Sequence, residues 1–542
     1  MFRFTVESAI LLAVAVTLFR AFFAEGYMIS TGSMAPSLLG YHRQVCCPSC
    51  AYRFARGAAT DADNGTLTAN ASAGLGWLDD WDPVTTRCPN CGSAVSDDAV
   101  PRTEGDQLMV HKHHYDWRDP ARWEVAVFRN PSLQTQAYVK RTVGLPGETI
   151  EIVDGDVYAD GVLQRKPLEV QQSLRVPVDD HDYQPTGEDP DWQPRWRAEQ
   201  AETNWRTDGR QFHFQGTPQS SVEGATSYPD WVHYHHWVRS GGQHHCRVPL
   251  ERWPDDVAEP GLLHHQFRFD AERRELESVG AIPHSVYQDW SERVRSDAAR
   301  DALRTLYFQS HQPPLTDVCA YNHPEAVAET YPVHDLMLEL NVTAEQAAGQ
   351  FLIALHDGCH ELRCTFDFDA GEARLTADGE GLVHRQGSLP QAFCDGEPAV
   401  VTMSQFDRQL LVAIDGELLF EPLLYASDSD RPPLPEHPVK FGASDGRLLI
   451  SHVKLYRDVY YTASPDGLTE SYTLGDDEFF MLGDNSPVSL DSRAWPHPAV
   501  PRSLLIGRPF VVHLPSKPQS FQLGSREVVL RIPDFSRVRY IR

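Results

Sequence analysis

Apolar positions run almost unbroken from Ala9 to Phe19, pass one Arg20 and continue through Ala21 to Ala24. With Phe2 to Val6 the stretch approaches the roughly 20 residues that span a bilayer, which predicts one helix within residues 1–25. After it the pattern shortens to strands. Gln107 to Val110, Glu124 to Phe128, Tyr138 to Val143 and Phe480 to Leu482 are short apolar or alternating runs ending in polar turns. From about residue 326 to 460 strands recur between turns: Leu336 to Val342, Gln350 to Leu355, Ala399 to Met403, Gln409 to Phe420 and Gly446 to Tyr456. Inside the fourth of these, Asp415-Gly416 between apolar runs is a hairpin signal. Residues 166–325, rich in Trp, His, Asp and Pro, show little periodicity and are expected to be irregular.

The fold class expected is mainly β. At 542 residues the prior is three or four structural units, and 41% apolar residues suffice for real cores. Lysine and arginine number 48 against 76 aspartates and glutamates, a net charge of −28, which argues against binding nucleic acid through its phosphates. A cleaved signal peptide shares the short basic start and apolar centre of the first 25 residues. A retained single-pass anchor is the reading taken, because no small-x-small cleavage site follows and Arg20, near one end, can snorkel. Arg3 is the one positive charge before the span, so the orientation argument from charge is weak. The ten cysteines are sparse, and four form two close pairs, a metal-site pattern rather than a disulfide framework.

Three stretches carry chemistry when taken in order: Ser33-Met34-Ala35-Pro36 just after the apolar span, Lys140-Arg141-Thr142-Val143-Gly144-Leu145-Pro146-Gly147-Glu148, and Gly483-Asp484-Asn485 followed by Ser489-Leu490-Asp491-Ser492-Arg493. Each alone is an ordinary turn or strand end. Together they resemble bacterial type I signal peptidase, the leader peptidase that removes signal peptides from exported proteins. Gly105-Asp106 with its following strand, and Val125-Ala126-Val127-Phe128, match a fourth family segment. The resemblance covers about residues 1–40, 100–165 and 470–515. It departs from the family at Ser30, where proline is common, and in the gap of more than 300 residues between Lys140 and Ser489. Such a gap costs little if its ends sit together, since loop-closure entropy grows slowly with length.

A serine hydroxyl needs a base, and an ammonium cannot be one, so a lysine in that role must fall from its reference pKa of about 10.4 towards 7–8 by burial. The resemblance implies Ser33 as nucleophile, Lys140 as general base, Ser489 as the hydroxyl that orients the lysine, and Thr31 with the Ser33 N–H as oxyanion donors. Asp491 with Arg493 would support the site, as would Arg141 and Asp484. Tyr27 and Ile29 would help shape shallow pockets for small substrate side chains. The implied enzyme is a serine endopeptidase in the bacterial inner membrane, its catalytic domain on the extracytoplasmic side, with signal-peptide-bearing preproteins and the lipid bilayer as partners and no catalytic cofactor. A self-cleaving or regulatory Ser-Lys peptidase, and a surface binding protein on a peptidase scaffold, are the alternatives.

The organisation expected is an anchor (1–25), a split core (26–40, 100–165 and 470–542), and insertions at 41–99, 166–325 and 326–460. Cys47-Pro48-Ser49-Cys50 and Cys88-Pro89-Asn90-Cys91 in the first insertion read as two zinc-ribbon knuckles holding a structural zinc, with disulfides as the alternative on an extracytoplasmic face. A second metal site among the histidines of 231–245 is conceivable, though scattered surface histidines are the commoner case. The 326–460 segment looks like a concanavalin- or laminin-G-like β-sandwich with a glycan or protein as candidate ligand, and no binding residue in it can be named.

Overall fold

The computed structural model describes residues 2–541 except 59–84, 98–99, 199, 201, 217–228, 240, 256, 258–266, 323–328, 347, 378–382, 427–430, 464–470 and 524–525. The middle of the first expected insertion and part of the 461–470 junction therefore lie outside the described residues. The chain is mainly β. A helix, Phe2–Phe22, runs straight into the strand Ala24–Met28. Among the described residues no helix is long and apolar enough to cross a membrane.

That first strand is the edge of an eight-stranded antiparallel sheet. Its order continues Gln107–His111, Leu505–Val512, Val125–Arg129, Ala137–Gly144, Glu478–Leu482 and Val500–Pro501, with Arg539–Tyr540 added beside Leu505–Val512. Alternation assigns the two faces. Val125 and Val127 pack with Leu108, Val110 and Val512 against Ile29, Met34 and Leu38, while Ala126 and Phe128 face Phe479, Met481 and Trp495. Covering both faces is what allows a central strand to bury a lysine.

A small sheet at the side of this core explains how a long insertion is tolerated. Thr149–Val153 pairs with Asp156–Ala159 and also with Tyr472–Thr473, on the far side of the insertion. The chain thus leaves and returns at neighbouring strands. Between them stand a nine-stranded and a seven-stranded antiparallel sheet. They share one core, to which the first contributes Leu338, Leu340, Val401 and Leu455 and the second Phe351, Ile353, Phe366 and Phe441. The Asp415-Gly416 turn forms as expected, with φ of 51° and 86° at its two central residues joining Gln409–Ile414 to Glu417–Leu418.

The expectation that residues 166–325 are irregular is corrected here. Val176–Asp180, Trp205–Thr207 and Phe212–Gln215 belong to the nine-stranded sheet, and Trp196–Ala198 and Asp230–Tyr234 to the seven-stranded one. Trp196, Trp205, Phe212, Phe214, Val232 and Tyr234 all point into the shared core. Strands of three to five residues carry too few alternations to stand out among prolines and aspartates. The same stretch holds the helices His284–Arg293 and Asp297–Ser310, which pack on a three-stranded sheet around Trp253, Trp290 and Leu303.

Candidate active site

The helix and first strand deliver the chain to a tight turn at Thr31–Ser37, whose Ala35 N–H donates to the Gly32 carbonyl at 3.0 Å. Ser33 stands in this turn. Lys140 lies on a central strand, paired with Ala126 on one side, and is 3% exposed. Its Nζ and the Ser33 Oγ are 2.5 Å apart. Burial lowers the Lys140 pKa to about 8, with Asp491 opposing and Arg493 assisting that shift. A proton can therefore leave the amine near neutral pH, which an exposed lysine would not allow.

The Gly483–Arg493 loop closes over the pair. The Asn485 N–H donates to the Ser33 carbonyl at 3.0 Å, and Asn485 Nδ2 to the Gly32 carbonyl at 2.9 Å. A Cβ at position 483 would lie 2.2 Å from Ser489 Oγ and 2.4 Å from the Ser33 carbonyl, so glycine is what lets the loop come this close. Asp491 accepts from the Gly483 N–H at 3.0 Å and takes two guanidinium bonds from Arg493, at 2.9 and 2.7 Å. Burial alone would raise the Asp491 pKa, and the Arg493 charge outweighs it and holds the carboxyl low. Arg493 continues to Ser486 and Thr462. Arg141 and Asp484 form a second bidentate pair at 2.9 and 2.8 Å, 1% and 0% exposed, in which Arg141 also donates to the Trp123 carbonyl. The turn after Lys140 is held by Glu148, which accepts from the Leu145 N–H at 2.7 Å.

Thr31 Oγ1 sits 3.4 Å from Ser33 Oγ. Ser489 differs from the expectation: its Oγ is buried beside the turn without a hydrogen-bond partner, so the lysine is placed by the strand and not by that hydroxyl. Ile29 is buried among Met34, Leu108 and Val127, leaving little surface for a pocket, whereas Tyr27 is half-buried and its hydroxyl donates to Glu25. Two contributors carry no sequence signal. Asn322, from the large insertion, exchanges side-chain amide bonds with Asn485, and the Tyr321 ring packs so closely on Gly32 that a Cβ there would overlap it.

Away from this centre, two hairpins present the cysteines. His42–Cys46 with Arg53–Gly57 flanks the first knuckle and Thr85–Arg87 with Ala94–Ser96 the second. The Cys47 and Cys91 sulfurs are 3.6 Å apart and those of Cys50 and Cys88 3.7 Å, all four buried and none in a disulfide. Four thiolates about 2.3 Å from one tetrahedral ion would sit roughly 3.8 Å from each other, and a disulfide would need about 2.0 Å. The donor set fits the ion.

The family model described as signal peptidase, peptidase S26, matches residues 96–212 and 408–514. Ser33 lies outside those segments and Lys140 inside them. Over 90 residues the chain is 37% identical to a probable signal peptidase I-1 of Synechocystis sp., covering 15% of this chain and 44% of that protein. Over 93 residues it is 37% identical to a signal peptidase I of Leptolyngbya laminosa, covering 16% and 43%. The chain thus spans less than half the length of these curated relatives. Among solved structures, a galectin of Caenorhabditis elegans aligns at 15% identity over 23% of this chain and 82% of that one, with a TM-score of 0.17.

Proposed function

We propose, from the premise that this chain belongs to the type I signal peptidases of family S26, that it cleaves signal peptides from exported preproteins with a Ser33/Lys140 dyad. The observation that carries the reading is the 2.5 Å approach of Lys140 Nζ to Ser33 Oγ at a buried position.

The neutral Lys140 amine takes the hydroxyl proton as Ser33 Oγ bonds to the scissile carbonyl carbon. The oxygen of that carbonyl gains the negative charge and accepts from the Ser33 N–H and the Thr31 hydroxyl. As the intermediate collapses, the Lys140 ammonium returns its proton to the departing amine, leaving an ester on Ser33. Water, deprotonated by the same amine, then releases the acyl group. Asp491 with Arg493, and Arg141 with Asp484, hold the loop and strand that keep these atoms in reach. Ser489, beside the turn, is free to accept from the ammonium once it forms. Tyr27, half-buried, borders the place where small residues at positions −1 and −3 of the substrate would rest, with Ile29 packed in the core beneath it.

In this reading the N-terminal apolar stretch serves as a single-pass anchor although its described residues alone fall short of a membrane-spanning helix, and Ser33, eleven residues beyond the end of the helix Phe2–Phe22, works at the extracytoplasmic surface of the inner membrane. The four cysteines hold a structural zinc that leaves no open position for an activated water. The shared core of the two large sheets makes them a sandwich domain, available to a glycan or protein. Purified full-length protein in detergent should cleave a preprotein at its signal-peptide junction, and Ser33→Ala should not. Turnover by Ser33→Ala overturns the dyad. A wild type that cleaves only itself, or nothing, would favour a self-processing peptidase or a binding scaffold.

A further inference from the structure

Strand pairing in the seven-stranded sheet brings together two histidines 202 positions apart in sequence. Asp230–Tyr234 runs antiparallel to Val439–Ser444 with His233 opposite Lys440, so His235 and His437 meet just past the paired ends. Their ring centroids are 4.1 Å apart. The Nδ1 atoms of both rings are buried with no hydrogen-bond partner. One ring nitrogen from each histidine and one Glu436 carboxylate oxygen lie within 4.8 Å of one another. A third ring, His233, stands 5.3 Å from His437. Packing alone accounts poorly for this, because burying ring nitrogens without partners costs free energy that a metal–ligand bond would return.

We infer that His235, His437 and Glu436 form a binding site for a borderline transition-metal dication, zinc in the first instance, on the outer rim of the sandwich. Two imidazoles and one carboxylate are a familiar zinc donor set with a fourth position left for water. Imidazole coordinates a metal in its neutral form. Arg197 lies near this cluster, its Nη1 held by Gln193 at 2.7 Å while Glu436 supplies a balancing charge. Glu436 also lines a groove of about 940 Å³ together with His236, His244 and His334. Bound there, the ion would pin the proline-rich connection 432–438 to the end of the Asp230–Tyr234 strand. It has no part in the peptide cleavage proposed above.

The test is zinc stoichiometry of the purified full chain, equilibrated with zinc and freed of excess, for wild type, the double variant His235→Ala/His437→Ala, and Glu436→Gln. The double variant should hold one equivalent less than wild type whatever the cysteines carry, with its cleavage activity unchanged. Glu436→Gln, which preserves the shape, should bind the same equivalent at least tenfold more weakly. Zinc should raise the unfolding temperature of wild type more than that of the double variant, a comparison that also shows whether the variant folds. Equal zinc content in all three proteins would overturn the site and leave the histidine pair as packing.

Discussion

Asn322 and Asn485 exchange two side-chain amide hydrogen bonds, of 2.8 and 2.7 Å, across the boundary between the large insertion and the peptidase loop. Asn485 spends its backbone N–H on the Ser33 carbonyl and its Nδ2 also on the Gly32 carbonyl. The insertion therefore grips the residue that grips the Ser33 turn. The Asn322 carbonyl in turn accepts from Arg56, beside the first cysteine knuckle, so three parts of the chain meet within a few residues of Ser33.

Asn322→Ala should loosen that turn. Removing one partner of a buried amide pair costs about 1–2 kcal/mol, and if this falls on the placement of Ser33 Oγ the turnover number drops about five- to thirtyfold. The pH profile should keep its midpoint, because Lys140 is untouched. A turnover equal to wild type on a preprotein substrate would mean that the pair holds the insertion in place and nothing more.

Cleavage should rise with pH through a midpoint near 8, since acid protonates the buried amine and removes the base. The same shift fixes a stability effect. Lys140 titrates near 8 when folded and near about 10.4 when unfolded, so below pH 8 the unfolded state is favoured by roughly 3 kcal/mol, a penalty that fades as pH rises to about 10. Lys140→Met should therefore be inactive yet gain stability relative to wild type at pH 7, and gain much less near pH 10. Paired unfolding curves at the two pH values check it, and a variant less stable than wild type at pH 7 would contradict the buried neutral lysine.

Asp484→Ala should be the most damaging single change near the site. It strands the Arg141 guanidinium, 1% exposed, with only the Trp123 carbonyl as partner, and uncompensated buried charges of this kind cost about 3–5 kcal/mol. Thermal unfolding should move down by several degrees. Asp484→Ala/Arg141→Met should recover much of the loss, because the charge is then gone as well.

Cys88→Ser should remove one zinc, the one held by the cysteines, and quicken proteolytic cleavage within residues 41–99, while peptide cleavage falls in parallel with any loosening of Arg56 and Tyr321 and not before it. Elemental analysis with thiol counting under denaturing conditions measures both. Absence of zinc together with four oxidised cysteines would replace the ribbon by disulfides.

What the sequence determined was local. Alternation marks Ala137–Gly144 as a strand and puts Lys140 on it, a polar Asp-Gly pair turns Gln409–Ile414 back on itself, and two Cys-Pro-x-Cys runs shape their own knuckles, because each rests on backbone preferences within a few residues. The order of three motifs also sufficed to name a family. The tertiary structure decided which distant pieces touch. Lys140 has its lowered pKa through burial between the two faces of a sheet whose other strands come from residues 24–28, 107–129 and 478–540. Trp196, Phe212 and Tyr234 are core because strands hundreds of residues away present the matching apolar face. Asn322 and the His235–His437 pair have no pattern at all in the chain, since a hydrogen bond or a ring contact between single side chains leaves no periodicity to read. Ser489 shows the converse: its motif was legible, but where its hydroxyl points depends on the approach of Gly483 to Ser33, a distance that only the closed fold sets.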